Sequence, residues 1–520
     1  MFQIKKSFST VAAVFVFGGF FFFMISQKPE NFDEFLDQSK TADIIPVVLN
    51  LPADLLTPLA VYLKISERAE NSFLLESVEG GESLARYSFI GANPDMIVSG
   101  NDSKISIKKN NSIDSINISL FDFLREHFTK FQISANEDLP SFIGGAIGYF
   151  GFSCSGWFEK TLEKSFAREQ IPDEGELMFY KTIVAYDHAK QVIKIISLVF
   201  KSEAANETEL KKLFENAIFR NEELKNTMEN DRISIPEQTG NSAAKPEVTS
   251  NWEREDFEYA VDEIKELINA GECYQVVLSQ CFTRKTNASP VAIYRALRSL
   301  NPSPYMFLLK FGEKSIIGAS PEMLVRCRDR KLEYRPIAGT RKRGKTAEED
   351  AALAEEMRRD KKEVAEHLML VDLGRNDLGR VSKYGSVRVE NMMNVEKFSH
   401  VQHLVSYLFS ELRDDCDQFD ALAKCFPAGT VSGAPKVRAI EIIQKLEPTP
   451  RGVYSGAVGY IDYSGNLDTC IAIRTLVLEN GEAKIQAGAG IVADSVPASE
   501  FDETVNKAQA LLKTIEIAEG

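Results

Sequence analysis

The chain has 520 residues, 44% of them hydrophobic and 26% charged. This excludes a disordered, collagen-like or low-complexity chain, and at roughly 150 residues per domain the length allows two to four domains. The formal charge is −15, from 61 basic and 76 acidic residues, with no basic block to track a phosphate backbone, so nucleic acid is not an expected partner. An anionic substrate would need local cations or a metal. The seven cysteines are odd in number and show no CxxC spacing, which predicts reduced thiols in the cytoplasm and neither a disulfide scaffold nor a zinc site.

Residues 1–28 form an apolar N-terminal extension. Ser7 to Gln27 carry no charge and follow Lys5 and Lys6, as in a signal peptide or a short membrane anchor. No small-x-small cleavage site follows, and the preferred reading is a chain that starts at Met24, leaving membrane attachment open. Asn31 then caps a short helix. Residues 29–232 alternate strands, helices and Gly-rich turns, with strands expected around Phe73–Ser77, Arg86–Gly91 and Ile143–Tyr149. Residues 233–250 lack periodicity and read as a linker.

Residues 251–520 open on a helix with a capping box at Ser250 and Glu253 and an apolar face of Phe257, Val261, Ile264 and Ile268, stopping at Gly271. A strand over Tyr274–Phe282 follows. Ala347–Leu373 reads as one long charged helix, and Pro435–Leu446 as a shorter one with Pro in its first position. Val453–Val492 reads as a three-stranded meander turned at Asp462–Asn466 and Asn480–Gly481, before a last helix from Pro497 to Ile515. Without a βαβ rhythm the fold class is α+β.

Glu363 and Glu366 share one face of the long helix, and Glu500 and Glu503 share a face of the last. Two such helices could hold a hard divalent cation through oxygen, although either pair alone reads as a solvated face. Arg474, in the apolar run Cys470–Leu478, is costly unless an anion pairs with it. Gly488-Ala489-Gly490 can bring backbone N–H groups close to a ligand, or simply end a strand tightly. His400 and His403 lie three apart beside Phe398 and Leu404, and read by themselves as core groups.

Several longer runs carry a resemblance. Gly318–Glu322 (GASPE), Pro336–Arg341 (PIAGTR), Glu366–Leu373 (EHLMLVDL), Arg375–Arg380 (RNDLGR), Pro427–Lys436 (PAGTVSGAPK) and Gln486–Ser495 (QAGAGIVADS) occur in this order. Together they resemble the chorismate-utilising enzymes, specifically the large subunit (component I) of anthranilate synthase, from about residue 30 to the C-terminus. The resemblance implies a two-part fold of antiparallel sheets flanked by helices. It implies Mg²⁺ on Glu366 and Glu503, supported by Glu363 and Glu500. It implies that Arg474, Tyr454, Thr430, Lys507 and the Gly488, Ala489 and Gly490 backbone hold chorismate, with Gly339 and Thr340 lining the same site.

The implied reaction adds ammonia at C2 as the C4 hydroxyl departs, then releases pyruvate to leave anthranilate, the first committed step towards tryptophan. Hydroxide leaves poorly, and Glu322 matches the general acid. His403 is the candidate for the second step. Ala338 stands where some aminodeoxychorismate synthases carry a nucleophilic Lys, and Gln275 where isochorismate synthases carry a Lys base. A neutral amide there can hydrogen-bond an incoming amine. An aminodeoxychorismate synthase of folate biosynthesis is the alternative, and a non-catalytic binding protein with this fold is the rival of a different class. No Cys lies in a GxCxG turn, so a separate glutamine amidotransferase subunit is the expected ammonia source. Leu74–Ser77 and Asn301–Met306 resemble the tryptophan-binding pieces of feedback-inhibited relatives, which implicates Ser77, Pro304, Tyr305 and Met306. Phe152–Trp157 departs from the family's sequence and is assigned no role.

Overall fold

The computed structural model describes residues 25–77, 86–110, 112–128, 131–134, 138–166, 174–233, 247–397 and 401–520. The apolar segment before residue 25, most of the expected linker, Phe398 and His400 lie outside them. Among the described residues no helix is long and apolar enough to cross a membrane.

The described strands form two antiparallel sheets, of 13 and 12 strands. Their facing sides are apolar at alternate positions, as a strand's period of two requires. Phe73, Phe89, Phe307 and Ile316 from the larger sheet and Ile147, Phe179, Val325 and Ile461 from the smaller share one buried core. The outer face of the larger sheet is covered by the helices Pro58–Ser66, Pro290–Leu300 and Pro497–Glu519, whose apolar stripes (Val61, Ile293, Leu297, Leu511, Ile515) meet Leu308, Ile317 and Leu476. Strands from 29–232 and from 251–520 lie in both sheets. Asn71–Glu76 pairs with Tyr305–Phe311 in one, and Gly145–Phe150 pairs with Ala457–Asp462 in the other.

Several elements differ from the sequence reading. Asn31 does cap its helix, accepting from Glu34 N at 3.0 Å. Ser250, by contrast, ends a short strand, and its hydroxyl accepts from Trp252 N at 3.1 Å; the helix Arg254–Asn269 starts at Glu253 without a side-chain cap. The long helix is two, Ala347–Arg359 and Lys361–Gly379, because Asp360 turns its carboxylate onto the N–H groups of Lys362 and Glu363 and starts a new helix. Pro435 precedes the first turn of Lys436–Leu446 rather than occupying it.

The expected meander splits. Ala457–Asp462 and Leu467–Ile471 form a hairpin in the smaller sheet, whereas Thr475–Glu479 and Glu482–Ile491 form one in the larger. The chain crosses between sheets at Ala472–Arg474, with Arg474 at φ 49°. A second crossing runs beside it, from Lys314–Ser320 in the larger sheet to Met323–Arg328 in the smaller. The two are tied together: Ser320 Oγ donates to the Ile471 carbonyl at 2.7 Å, Ile471 N to the Glu322 carbonyl at 3.0 Å, and Ala319 N to the Arg474 carbonyl at 3.1 Å. The paired crossings carry Glu322 and Arg474, two of the expected site residues.

Candidate active site

A cavity of about 1060 Å³ opens at the crossings. The crossings themselves deliver Glu322 and Arg474 to it. The strand Ile337–Lys342 and its neighbour Val401–Glu411 deliver Gly339, Thr340 and His403; the helix Lys361–Gly379 delivers Glu366. The last helix supplies Glu500, Glu503 and Lys507, and the paired strands Gln275–Lys285 and Glu482–Ile491 supply Gln275, Gly488 and Gly490. Thr430 and Tyr454 complete the wall. Residues far apart in sequence thus line one space.

Two expected residues are not in that wall. Ala489 lies between Gly488 and Gly490 on a strand, so its side chain faces the other way and is fully buried with Ile440 and Ile443. Glu363 gives its carboxylate to Arg341 Nη1 at 2.9 Å. Lys507 is in the wall but already engaged, donating to the Gly488 carbonyl at 2.9 Å and pairing with Glu503 at 2.7 Å. At Gly490 a Cβ would lie 2.5 Å from Gln275 Nε2, so any larger residue there would displace that amide from its place in the wall.

The electrostatics are those of a site left unneutralised. Glu322 is almost fully buried, and burial raises its pKa from 4.5 to about 8, with the Thr430 hydroxyl pulling weakly the other way. Glu322 Oε1 and Thr430 Oγ1 are both buried without a hydrogen-bond partner among the described residues. A carboxyl held protonated at neutral pH can give a proton away. Arg474 is exposed to the cavity but crowded by protein, which lowers its pKa, and no charged group offsets that cost. An uncompensated guanidinium at a strained φ is a site for an anion. Burial also lowers the His403 pKa, with the Gly339 carbonyl opposing. That carbonyl can only accept, so His403 Nδ1, 2.7 Å away, carries the proton and Nε2 is the basic nitrogen of the neutral ring.

Glu366 and Glu500 have their pKa values raised, first by burial and then by neighbouring carboxylates (Glu363 and Glu503 on Glu366, Glu503 on Glu500). Among the described residues no three His, Cys, Asp or Glu side chains converge closely enough to hold an ion. The donor set nonetheless fits a hard divalent cation: oxygen only, from two helices, with mutual repulsion that a cation would relieve.

A second cavity, of about 780 Å³, lies between the sheets and is lined by Ser77, Pro304, Tyr305 and Met306, bringing the four together as expected. Here the charges are matched. Arg326 donates to Asp468 at 2.7 Å and to Glu333 at 3.2 Å, and Tyr305 donates to Asp468 at 3.0 Å. Ser77 Oγ is buried without a partner among the described residues, and Pro304 lines both cavities.

Sequence reasoning missed Arg451. It lies in a polar turn (TPRG) where an arginine raises no question, yet its side chain is fully buried against Tyr454. Only the apolar-run argument that picked out Arg474 could have found such a residue, and no apolar run surrounds it.

Comparison with known proteins agrees with this geometry. Anthranilate synthase component 1 of Acetivibrio thermocellus is 46% identical over 491 residues, covering 94% of this chain and 98% of that protein. Its namesake from Pseudomonas aeruginosa is 43% identical over 488 residues, covering 91% and 96%. The crystal structure of anthranilate synthase component I from Streptococcus pneumoniae superposes with a TM-score of 0.69 at 36% identity, covering 89% of this chain and 98% of that one. The menaquinone-specific isochorismate synthase MenF of Escherichia coli shares the fold, with a TM-score of 0.67 at 20% identity over 93% and 98%. A profile of the chorismate binding enzymes matches residues 70–513, and the chain belongs to that family.

Proposed function

We propose that the chain is an anthranilate synthase large subunit, a lyase converting chorismate and ammonia to anthranilate and pyruvate. The observation that carries this reading is a single cavity at the sheet crossings, lined by Glu322, whose burial raises its pKa to about 8, and by Arg474, which no charged group among the described residues offsets. Chorismate is a dicarboxylate, and Arg474, Tyr454, Thr430 and the Gly488 and Gly490 backbone orient it. Glu322 gives its proton to the departing C4 hydroxyl, which leaves as water, while Gln275 hydrogen-bonds the ammonia entering at C2. His403 Nε2 then takes the C2 proton as the ring C–O bond breaks and the ring becomes aromatic, and the enolpyruvate released takes up a proton at its methylene carbon to become pyruvate. Mg²⁺ held by Glu366 and Glu503, with Glu363 and Glu500 in support, would neutralise a substrate carboxylate.

Ala338 lines the cavity and brings no nucleophile, which supports direct addition of ammonia over an aminodeoxychorismate route. Ammonia would come from a glutamine amidotransferase subunit, since the sequence has no GxCxG nucleophile turn of its own. The cavity between the sheets would take tryptophan, favouring an inhibited arrangement of the Pro304 segment that the two cavities share.

Product fluorescence tests this reading. The purified chain is given chorismate, Mg²⁺ and ammonium, with and without tryptophan. Anthranilate emission lost with EDTA and lowered by tryptophan is expected. A 4-amino-4-deoxychorismate product would move the protein to folate synthesis.

A further inference from the structure

Arg451 is the most completely committed side chain outside the reacting groups. Its guanidinium has five N–H donors, and each has an acceptor. Nε and Nη2 form a two-toothed pair with Glu447, at 2.8 and 2.6 Å. The second Nη2 donor meets the Val277 carbonyl at 2.7 Å, and Nη1 meets the Val431 carbonyl at 2.8 Å and Ser455 Oγ at 3.2 Å. Phe152 stacks over it with 4.6 Å between guanidinium carbon and ring centroid, and Tyr454 lies at 5.6 Å. Glu447 in turn accepts from Ser279 N and Oγ, and Ser279 Oγ accepts from Gln486, another wall residue.

Burying an ion pair is a poor way to gain stability, since apolar residues of similar volume do as well or better. A planar fork with five donors does what they cannot: it fixes several backbones at set angles. The segments fixed here are Val277, two residues from Gln275; Val431, next to Thr430; and Ser455, next to Tyr454. All three neighbours face the cavity. The Phe152 segment, to which the sequence reading assigned no role, closes the open face of the guanidinium.

We propose that Arg451 is a positioning residue for the reaction that acts through Tyr454, holding its hydroxyl in place against the Thr430 and Gln275 backbones without touching substrate. The proposal rests on the chorismate reading of the cavity. If Arg451 acts through Tyr454, losing both should cost no more than losing one.

The test is a double-mutant cycle of Arg451→Lys and Tyr454→Phe, assayed as kcat/KM for chorismate with ammonium, alongside thermal unfolding. Each single variant is expected to lose about tenfold and the double variant about tenfold as well, with Arg451→Lys lowering the melting temperature because it leaves buried acceptors without donors and Tyr454→Phe changing it little. A loss near a hundredfold in the double variant would overturn the proposal, because the two residues would then act independently. Should Arg451→Lys fail to fold, Glu447→Gln takes its place in the cycle with the same expectations. A native chain that yields no anthranilate would contradict the reading of the cavity and leave the positioning claim to amide hydrogen exchange. Faster exchange at Val431 and Ser455 in Arg451→Lys would then support positioning, and unchanged exchange would overturn it.

Discussion

The two cavities of this protein share Pro304 and differ in how their charges are settled. Between the sheets, Arg326 has Asp468 and Glu333, and Glu76 has Arg298 at 3.2 Å and the Tyr294 hydroxyl at 2.6 Å. At the crossings, among the described residues, Glu322 has no hydrogen-bond partner for one oxygen, no charged group offsets the burial of Arg474, and Glu366 and Glu500 lie beside like charges that Lys362 and Lys507 offset only in part. A folded chain keeps ionisable groups without partners only where the rest of the structure holds them in place, and such groups cluster at functional sites. On the proposed reading, the difference separates a space for the reaction from one for an inhibitor that the reaction does not consume.

The largest test of that contrast is Glu322→Gln. Turnover should fall by about 10³-fold through loss of a general acid, while chorismate still binds. The same substitution should stabilise the fold increasingly as pH rises. The folded carboxyl titrates near 8 and the unfolded one near 4.5. Between these values the unfolded state has released a proton that the folded state retains, so the native chain loses stability as pH rises and the amide does not. Thermal unfolding of both proteins at pH 5 and pH 8 measures this. A gap that stays constant would break the assignment of a buried, proton-bearing Glu322.

Arg474→Ala comes next. It should raise KM for chorismate by about 100-fold, in keeping with about 3 kcal/mol for a charge-assisted pair to a carboxylate, with little change in melting temperature because the side chain supports no other group. A large fall in melting temperature would mean that Arg474 serves the fold and not a ligand. Smallest in its effect on turnover is Ser77→Leu, which should leave kcat within about twofold while abolishing tryptophan inhibition, since it fills a cavity away from the reacting groups. Titration with tryptophan reads this out, and inhibition that persists would remove Ser77 from that site.

Much of this contrast was legible in the sequence because the motif runs, one of which contains Glu322, carry a family resemblance that implies roles for residues outside them. Glu322, His403, Tyr454 and Arg474 were placed in one site without any structure. What stayed hidden was direction. An apolar run such as Cys470–Leu478 has the composition of a strand, and nothing local says that it changes sheets at Arg474. Alternation along Glu482–Ile491 turned Ala489 away from the site that Gly488 and Gly490 line. Helical periodicity continues through Asp360, whose carboxylate caps a new helix instead. Glu363 and Glu366 share a helical face, but spacing alone could not show that Arg341, twenty-two residues earlier, holds one of them. Arg451 gave no signal, because the polar turn that holds it hides the contributions of Phe152, Val277 and Val431, which are remote in sequence.

The most direct test of the central claim is the alkaline limb of the pH profile. kcat/KM for chorismate is measured from pH 6 to 9.5 with free ammonia held constant. A fall in rate as pH rises through about 8 is expected as Glu322 gives up the proton that the departing hydroxyl requires. A profile that is flat or still rising through that range would contradict the account, because the buried carboxyl would then not be the acid.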